Sequence, residues 1–180
     1  MQDSNFKGAK FENSNFFMAE LQRCDFNGAN MQGTVFWKAN MSFSNLNNVK
    51  AQHANLKGAN LESTTLKNSD LSYSISWKAN FRDAEIQHSN FSNSELGDAK
   101  FYHTDLTDSN LSGAILWKTK FKDTTLTQDQ YEKVLFYKDV ICNNKSDNKT
   151  LERNKCLMET YYSRQSLSIY INLVKFLYFI

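Results

Sequence analysis

Three histidines (His53, His88, His103), three cysteines (Cys24, Cys142, Cys156), carboxylate pairs such as Asp83 and Glu85, and three Trp-Lys pairs are the residues of this 180-residue chain that could do chemistry. Converging imidazoles and thiolates hold a transition metal. Two carboxylates in a partly desolvated cleft do general acid–base work. A thiol beside a base is a nucleophile. Tryptophan beside lysine on a surface binds a partner instead. Which of these chemistries is available depends on the elements that position the side chains.

The positioning element is a five-residue period. Stepping by five from Phe6 through Phe11, Phe16 and Leu21 to Leu126, every centre is large and apolar except Ala51 and Ser76. Two residues before each centre stands a small or β-branched residue, from Ser4, Ala9 and Ser14 through Cys24 to Thr124. The residue between these registers is usually Asn, Asp, Glu or Lys. Such a period fits neither a helix nor a strand. It fits a square coil in which each repeat is one side and twenty residues close a turn. Stacked coils then satisfy one another's backbone groups as strands do.

The array resembles the pentapeptide repeat family, whose motif is A(D/N)Lxx. Ala29-Asn30-Met31, Ala39-Asn40-Met41, Ala54-Asn55-Leu56, Ala59-Asn60-Leu61, Ser69-Asp70-Leu71 and Ala79-Asn80-Phe81 carry it here. The resemblance implies an all-β solenoid over residues 1–126: a right-handed quadrilateral β-helix of about six coils, on the order of 30 Å long.

Beyond the array, residues 127–142 read as a capping α-helix. Thr127 and Gln130 have the spacing of a capping box, and Leu126 and Tyr131 that of a hydrophobic staple. Tyr131, Val134, Leu135 and Ile141 fall on one face. That face either covers the last coil or, as the family resemblance implies, builds a homodimer. Residues 143–149 read as a polar linker and residues 150–180 as an extra C-terminal segment of open structure. The apolar run from Leu167 to Ile180 is short for a membrane span, which needs about 17–25 residues. Docking on the rod, contact with a membrane surface and pairing with another chain all remain open for it.

Placed on this coil, each histidine sits two residues after a centre, faces outward and lies on a different side. That arrangement predicts surface histidines and no metal. Asp83 and Glu85 lie on a solvated face, and Cys24 occupies a small inward position. The tryptophans behave differently. Trp37, Trp77 and Trp117 are spaced by 40, so all three share one side. Each is followed by lysine (Lys38, Lys78, Lys118) and preceded at two residues by Val35, Ile75 or Ile115 in a normally polar position. Successive tryptophans are expected about 10 Å apart, twice the coil rise. These nine residues are a candidate interaction stripe. Equally, they are the mark of a duplicated two-coil unit whose tryptophans pack along the surface or under the tail. Ser76, the polar centre beside Trp77, predicts a local irregularity: a small void, an inward hydrogen bond, or Ile75 swung inward.

Net charge is +2, with residues 1–130 near neutral at −1 and the remainder at +3. Direct nucleic-acid binding is not expected from that balance. The functional expectation is a non-catalytic protein–protein interaction scaffold with no cofactor and an unspecified protein partner. One alternative comes from the resemblance alone. The family includes bacterial proteins that mimic duplex DNA and bind type II topoisomerase (gyrase) in quinolone resistance. A second is a membrane-associated or secreted effector that uses the apolar tail. A bacterial cytoplasm is expected from the resemblance and the unpaired cysteines, since the N-terminus shows no apolar leader, although export without one stays open.

Overall fold

A computed structural model describes residues 1–124, 126–135 and 141–143. The residue before each centre bridges in parallel to the residue twenty further on: Asn5 to Asp25, Asp25 to Asn45, Asn45 to Thr65. Late in the array the bridges lengthen into β1 (Lys100–Tyr102) and β2 (Lys120–Lys122), which pair in parallel.

Each repeat distributes its backbone donors in a fixed way. The centre donates to the next coil, as Phe6 N–H does to Asp25 O at 2.7 Å. A four-residue turn follows, closed by Ala9 N–H on Phe6 O at 3.0 Å. The third residue of that turn needs a left-handed backbone, as in a type II turn. Gly8 takes it at φ 67°, but Asn13, His53 and Asp98 take it too, at 57°, 59° and 53°. Asn, Asp and His tolerate this region, and among the described residues no β-branched side chain occupies it.

One donor remains, the N–H of the residue after the centre. Where Asn or Asp stands just before the centre, its side chain accepts it. Phe17 N–H donates to Asn15 Oδ1 at 2.9 Å, Ser72 to Asp70 Oδ1 at 3.0 Å, and Ser92 to Asn90 Oδ1 at 3.1 Å. This is why the motif favours Asn or Asp there over other polar residues.

Inward serine and threonine are satisfied as well. Thr34 Oγ1 donates to Phe11 O at 2.6 Å, Ser69 Oγ to Leu46 O at 2.7 Å, and Thr124 Oγ1 to Phe101 O at 2.8 Å. The centres stack in columns. Phe81 lies on Phe101 with ring centroids 4.9 Å apart, and Phe101 on Phe121 at 5.2 Å. Ser76 does not disturb this order. Its hydroxyl meets that of Ser74 at 3.2 Å, both buried, and Ile75 stays outward while bridging Asn55 and Glu95. The inward hydrogen bond expected at this position is formed, and Ile75 is not swung inward.

The helix after the array is shorter than its sequence pattern suggests. α1 spans Gln128–Lys133, not residues 127–142. The capping box is formed: Thr127 Oγ1 accepts from Gln130 N–H at 3.2 Å, and Gln130 Oε1 accepts from Thr127 N–H at 2.9 Å. Val134 then turns to an extended backbone, and Leu135 N–H bonds Ala114 O at 3.0 Å. The preceding coil offers ladder partners there, and they outcompete helical continuation. Ile141 consequently lies in β3 (Ile141–Asn143), which pairs in parallel with β2. The expected apolar helix face is split: Val134 is buried, Leu135 is 70% exposed, and Ile141 belongs to the sheet. The linker at 143–149 and the segment 150–180 lie, apart from Asn143, outside the described residues.

Candidate docking surface

The Trp side of the rod is built from three outward columns. Val35, Ile75 and Ile115 stand just before a centre, alternating with Asn15, Asn55 and Glu95. The tryptophans stand just after the centre, at the start of the corner. Lys38, Lys78 and Lys118 hold its left-handed position, at φ 55°, 59° and 55°. Trp37 is 39% exposed and Ile75 37%, while Trp77, Trp117, Val35 and Ile115 are half-buried.

These side chains form two clusters, not an even stripe. Trp77 leans over Gly97, where an added Cβ would sit 2.5 Å from the indole ring. Its centroid thereby comes within 5.4 Å of Trp117, not the ~10 Å expected from twice the coil rise. A residue with any side chain at position 97 would have kept the two rings apart. Trp77 Nε1 donates to Glu95 Oε2 at 2.6 Å, so the indole's polar edge is already satisfied. The second cluster joins Trp37 to Phe17, 4.9 Å away, next to Met18, which is 58% exposed. Phe17 and Met18 lack the Trp-Lys signature that marks Trp37, Trp77 and Trp117. A step of twenty back from Trp37 and Lys38 finds them.

The lysines are exposed. Lys38 Nζ lies 5.4 Å from the Trp37 ring and Lys118 Nζ 4.7 Å from the Trp117 ring. Lys57 fills the gap between the clusters. The two carboxylates of this side are both engaged: Glu95 by Trp77, and Asp98 by Lys120 at 2.8 Å.

The other candidate groups are dispersed. His53 stacks on Tyr73 at 5.2 Å, while His88 and His103 lie 3.6 and 3.5 Å from Asp108 and Asp123, each one coil on. Cys24 is buried, its thiol donating to Met1 O at 2.9 Å. A polar hollow of about 310 Å³ lies beside α1, lined by Asp108, Asp129, Gln130 and Lys133 among others. Its groups are spent on structure. Lys133 pairs with Asp129 at 2.7 Å, and Gln130 Nε2 donates to Leu106 O and Ser109 O at 3.0 and 2.9 Å. Tyr131, on the same helix, has its hydroxyl pKa pushed up to about 12 by burial.

Residues 1–75 match the family model of a pentapeptide repeat region, and residues 59–98 and 89–128 match that of pentapeptide repeats in eight copies. The chain belongs to the pentapeptide repeat family. Its structural neighbours are pentapeptide repeat proteins, which are right-handed β-helices, and that is the class of this fold. One is a pentapeptide repeat protein of the Arabidopsis thaliana thylakoid lumen, 28% identical over 62% of this chain and 72% of that one, with TM-score 0.50. Another is HetL, involved in heterocyst differentiation regulation in the cyanobacterium Nostoc, 17% identical over 78% and 68%, with TM-score 0.36. A third is QnrB1, a plasmid-mediated fluoroquinolone resistance protein, 18% identical over 84% and 93%, with TM-score 0.34. No curated protein matches.

Proposed function

We propose that this pentapeptide repeat protein is a non-catalytic scaffold, a rod of about six coils that presents its Trp side to a macromolecular partner. The observation that carries this reading is the choice of Val35, Ile75 and Ile115 where the motif wants Asn or Asp. None of the three can accept the following turn N–H, and each adds apolar surface beside an exposed or half-buried tryptophan. Local stability argues against such residues, and a docking role accounts for them. The general character of the family as structural scaffolds supports the non-catalytic part.

The test is affinity co-purification of the full chain against the Trp77→Ala, Ile75→Asn double variant. Loss of specific protein partners, or of binding to membrane vesicles, supports the reading; a variant that keeps both unchanged removes it.

α1 and the chain after it serve, in the same reading, to cover the last coil. Gln130 reaches two carbonyls of the coil beneath it, Leu106 O and Ser109 O. Gln130→Ala should then raise hydrogen exchange at the final coil before the first. Equal exchange at both ends would refute the cap.

A further inference from the structure

We infer that the partner of the Trp side is an anionic lipid surface, on which the rod lies lengthwise; this rests on the Trp side being a docking surface. Four observations converge on it.

The first is chemical. Lys38, Lys57, Lys78 and Lys118 form no ion pair with a carboxylate among the described residues, while the side's own carboxylates are taken by Trp77 and Lys120. Unpaired cations beside indole rings call for a partner that is both apolar and negative. A bilayer interface with acidic headgroups supplies both.

The second is shape. Tryptophan and lysine occupy the turn residues, so they crown a corner of the square coil and do not line a cleft. A peptide or small ligand wants concavity. A straight, convex edge some 24 Å long, five coil rises from Phe17 to Trp117, suits a broad planar partner.

The third is desolvation. A tryptophan entering an apolar layer must satisfy its N–H. Trp77 already does so through Glu95, and Lys38 and Lys118 keep their ammonium groups against the indole faces with long stems free to reach outward.

The fourth is polarity of the whole rod. Two sides further round the coil, the outward positions hold Asp25, Glu85, Asp105 and Asp108 against Lys7 and Lys67. The rod is therefore positive on its Trp side and negative opposite, which orients it at a negative surface before contact.

All three tryptophans of the chain lie on this side, so intrinsic fluorescence reports the contact directly. The full chain is mixed with vesicles of phosphatidylcholine plus phosphatidylserine, and with vesicles of phosphatidylcholine alone. Co-sedimentation with the acidic vesicles only, a blue shift of tryptophan emission, and release by high salt are expected. Replacing Lys38, Lys57, Lys78 and Lys118 together by Gln keeps every tryptophan and should weaken binding at least tenfold, since each lysine near such a surface contributes roughly fivefold. A circular dichroism spectrum checks that this variant is folded.

The lipid assignment fails if acidic vesicles do not bind, or if the lysine variant binds equally. It also fails if binding leaves tryptophan emission unmoved, which puts another part of the chain on the membrane. Should vesicles fail while the Trp77→Ala, Ile75→Asn variant loses protein partners, the scaffold reading stands and an acidic protein replaces the lipid. Saturable capture of a single-stranded oligonucleotide without vesicle binding likewise overturns the lipid in favour of nucleic acid.

Discussion

Two neighbouring sides of the rod use one backbone to different ends. On the Asn side, Asn40, Asn60 and Asn80 stack as a ladder. Asn60 Nδ2 donates to Asn40 Oδ1 at 3.2 Å, and Asn80 Nδ2 to Asn60 Oδ1 at 3.0 Å. Each also accepts the N–H of its own turn, at 3.3 Å. On the Trp side, the equivalent positions at Val35, Ile75 and Ile115 do neither. The same register thus carries a stacked Asn ladder over three successive coils of one side, and Val or Ile on alternate coils of the next, with Asn15, Asn55 and Glu95 between them. The contrast separates what the coil needs from what the surface offers.

Substitutions on the two sides have different expected costs. The largest effect should come from the core, which both sides share. Phe101→Ala removes a ring stacked between Phe81 and Phe121 and should cost about 3–5 kcal/mol in urea unfolding. A much smaller loss would mean the columns are loosely packed, and neither side could then be called rigid. Next, Asn60→Val should cost about 1–2 kcal/mol, because it strips acceptors from Glu62 N–H and Asn80 Nδ2. The converse change, Ile75→Asn, should stabilise by about 0.5–1 kcal/mol by supplying the missing turn acceptor. Destabilisation there would show Ile75 to be a packing residue and would end the contrast. Gly97→Ala should alter stability by less than about 1 kcal/mol, since only the indole of Trp77 must yield. Its signature is loss of the Trp77–Trp117 coupling in near-ultraviolet circular dichroism.

The smallest effect concerns pH. Hydrogen bonds from the Thr107 side chain and then its backbone N–H hold the Asp105 carboxyl below the usual carboxylate range. A depressed folded-state value stabilises above the unfolded value, and that contribution fades as pH falls through the folded one. Asp105→Asn keeps a turn acceptor without the titration. Relative to the variant, the native chain should weaken only below about pH 4.

The repeat and its square coil were legible because a single spacing repeats from Phe6 to Leu126 without interruption. The chemistry of the residue before the centre was half legible. Its polarity shows in the sequence, but its bond to the turn N–H needs the backbone. Two features were hidden for different reasons. The approach of Trp77 to Trp117 depends on a ring leaning across Gly97, and a residue spacing carries no rotamer. The end of α1 at Lys133 depends on Ala114 offering its carbonyl to Leu135, a contact that helical periodicity cannot reveal.

The pairing of each residue with the one twenty further on also governs how such a chain can change length. Excising five residues would rotate everything downstream by a quarter turn and scatter the tryptophans over two sides. Excising twenty from within the stripe would keep them on one side but break the alternation of aliphatic and polar coils. Only a forty-residue excision would leave the alternation in phase. The surface thus has a grammar coarser than that of the fold, and a shortened or lengthened version of this rod that kept its Trp side would have to differ from it by whole pairs of coils.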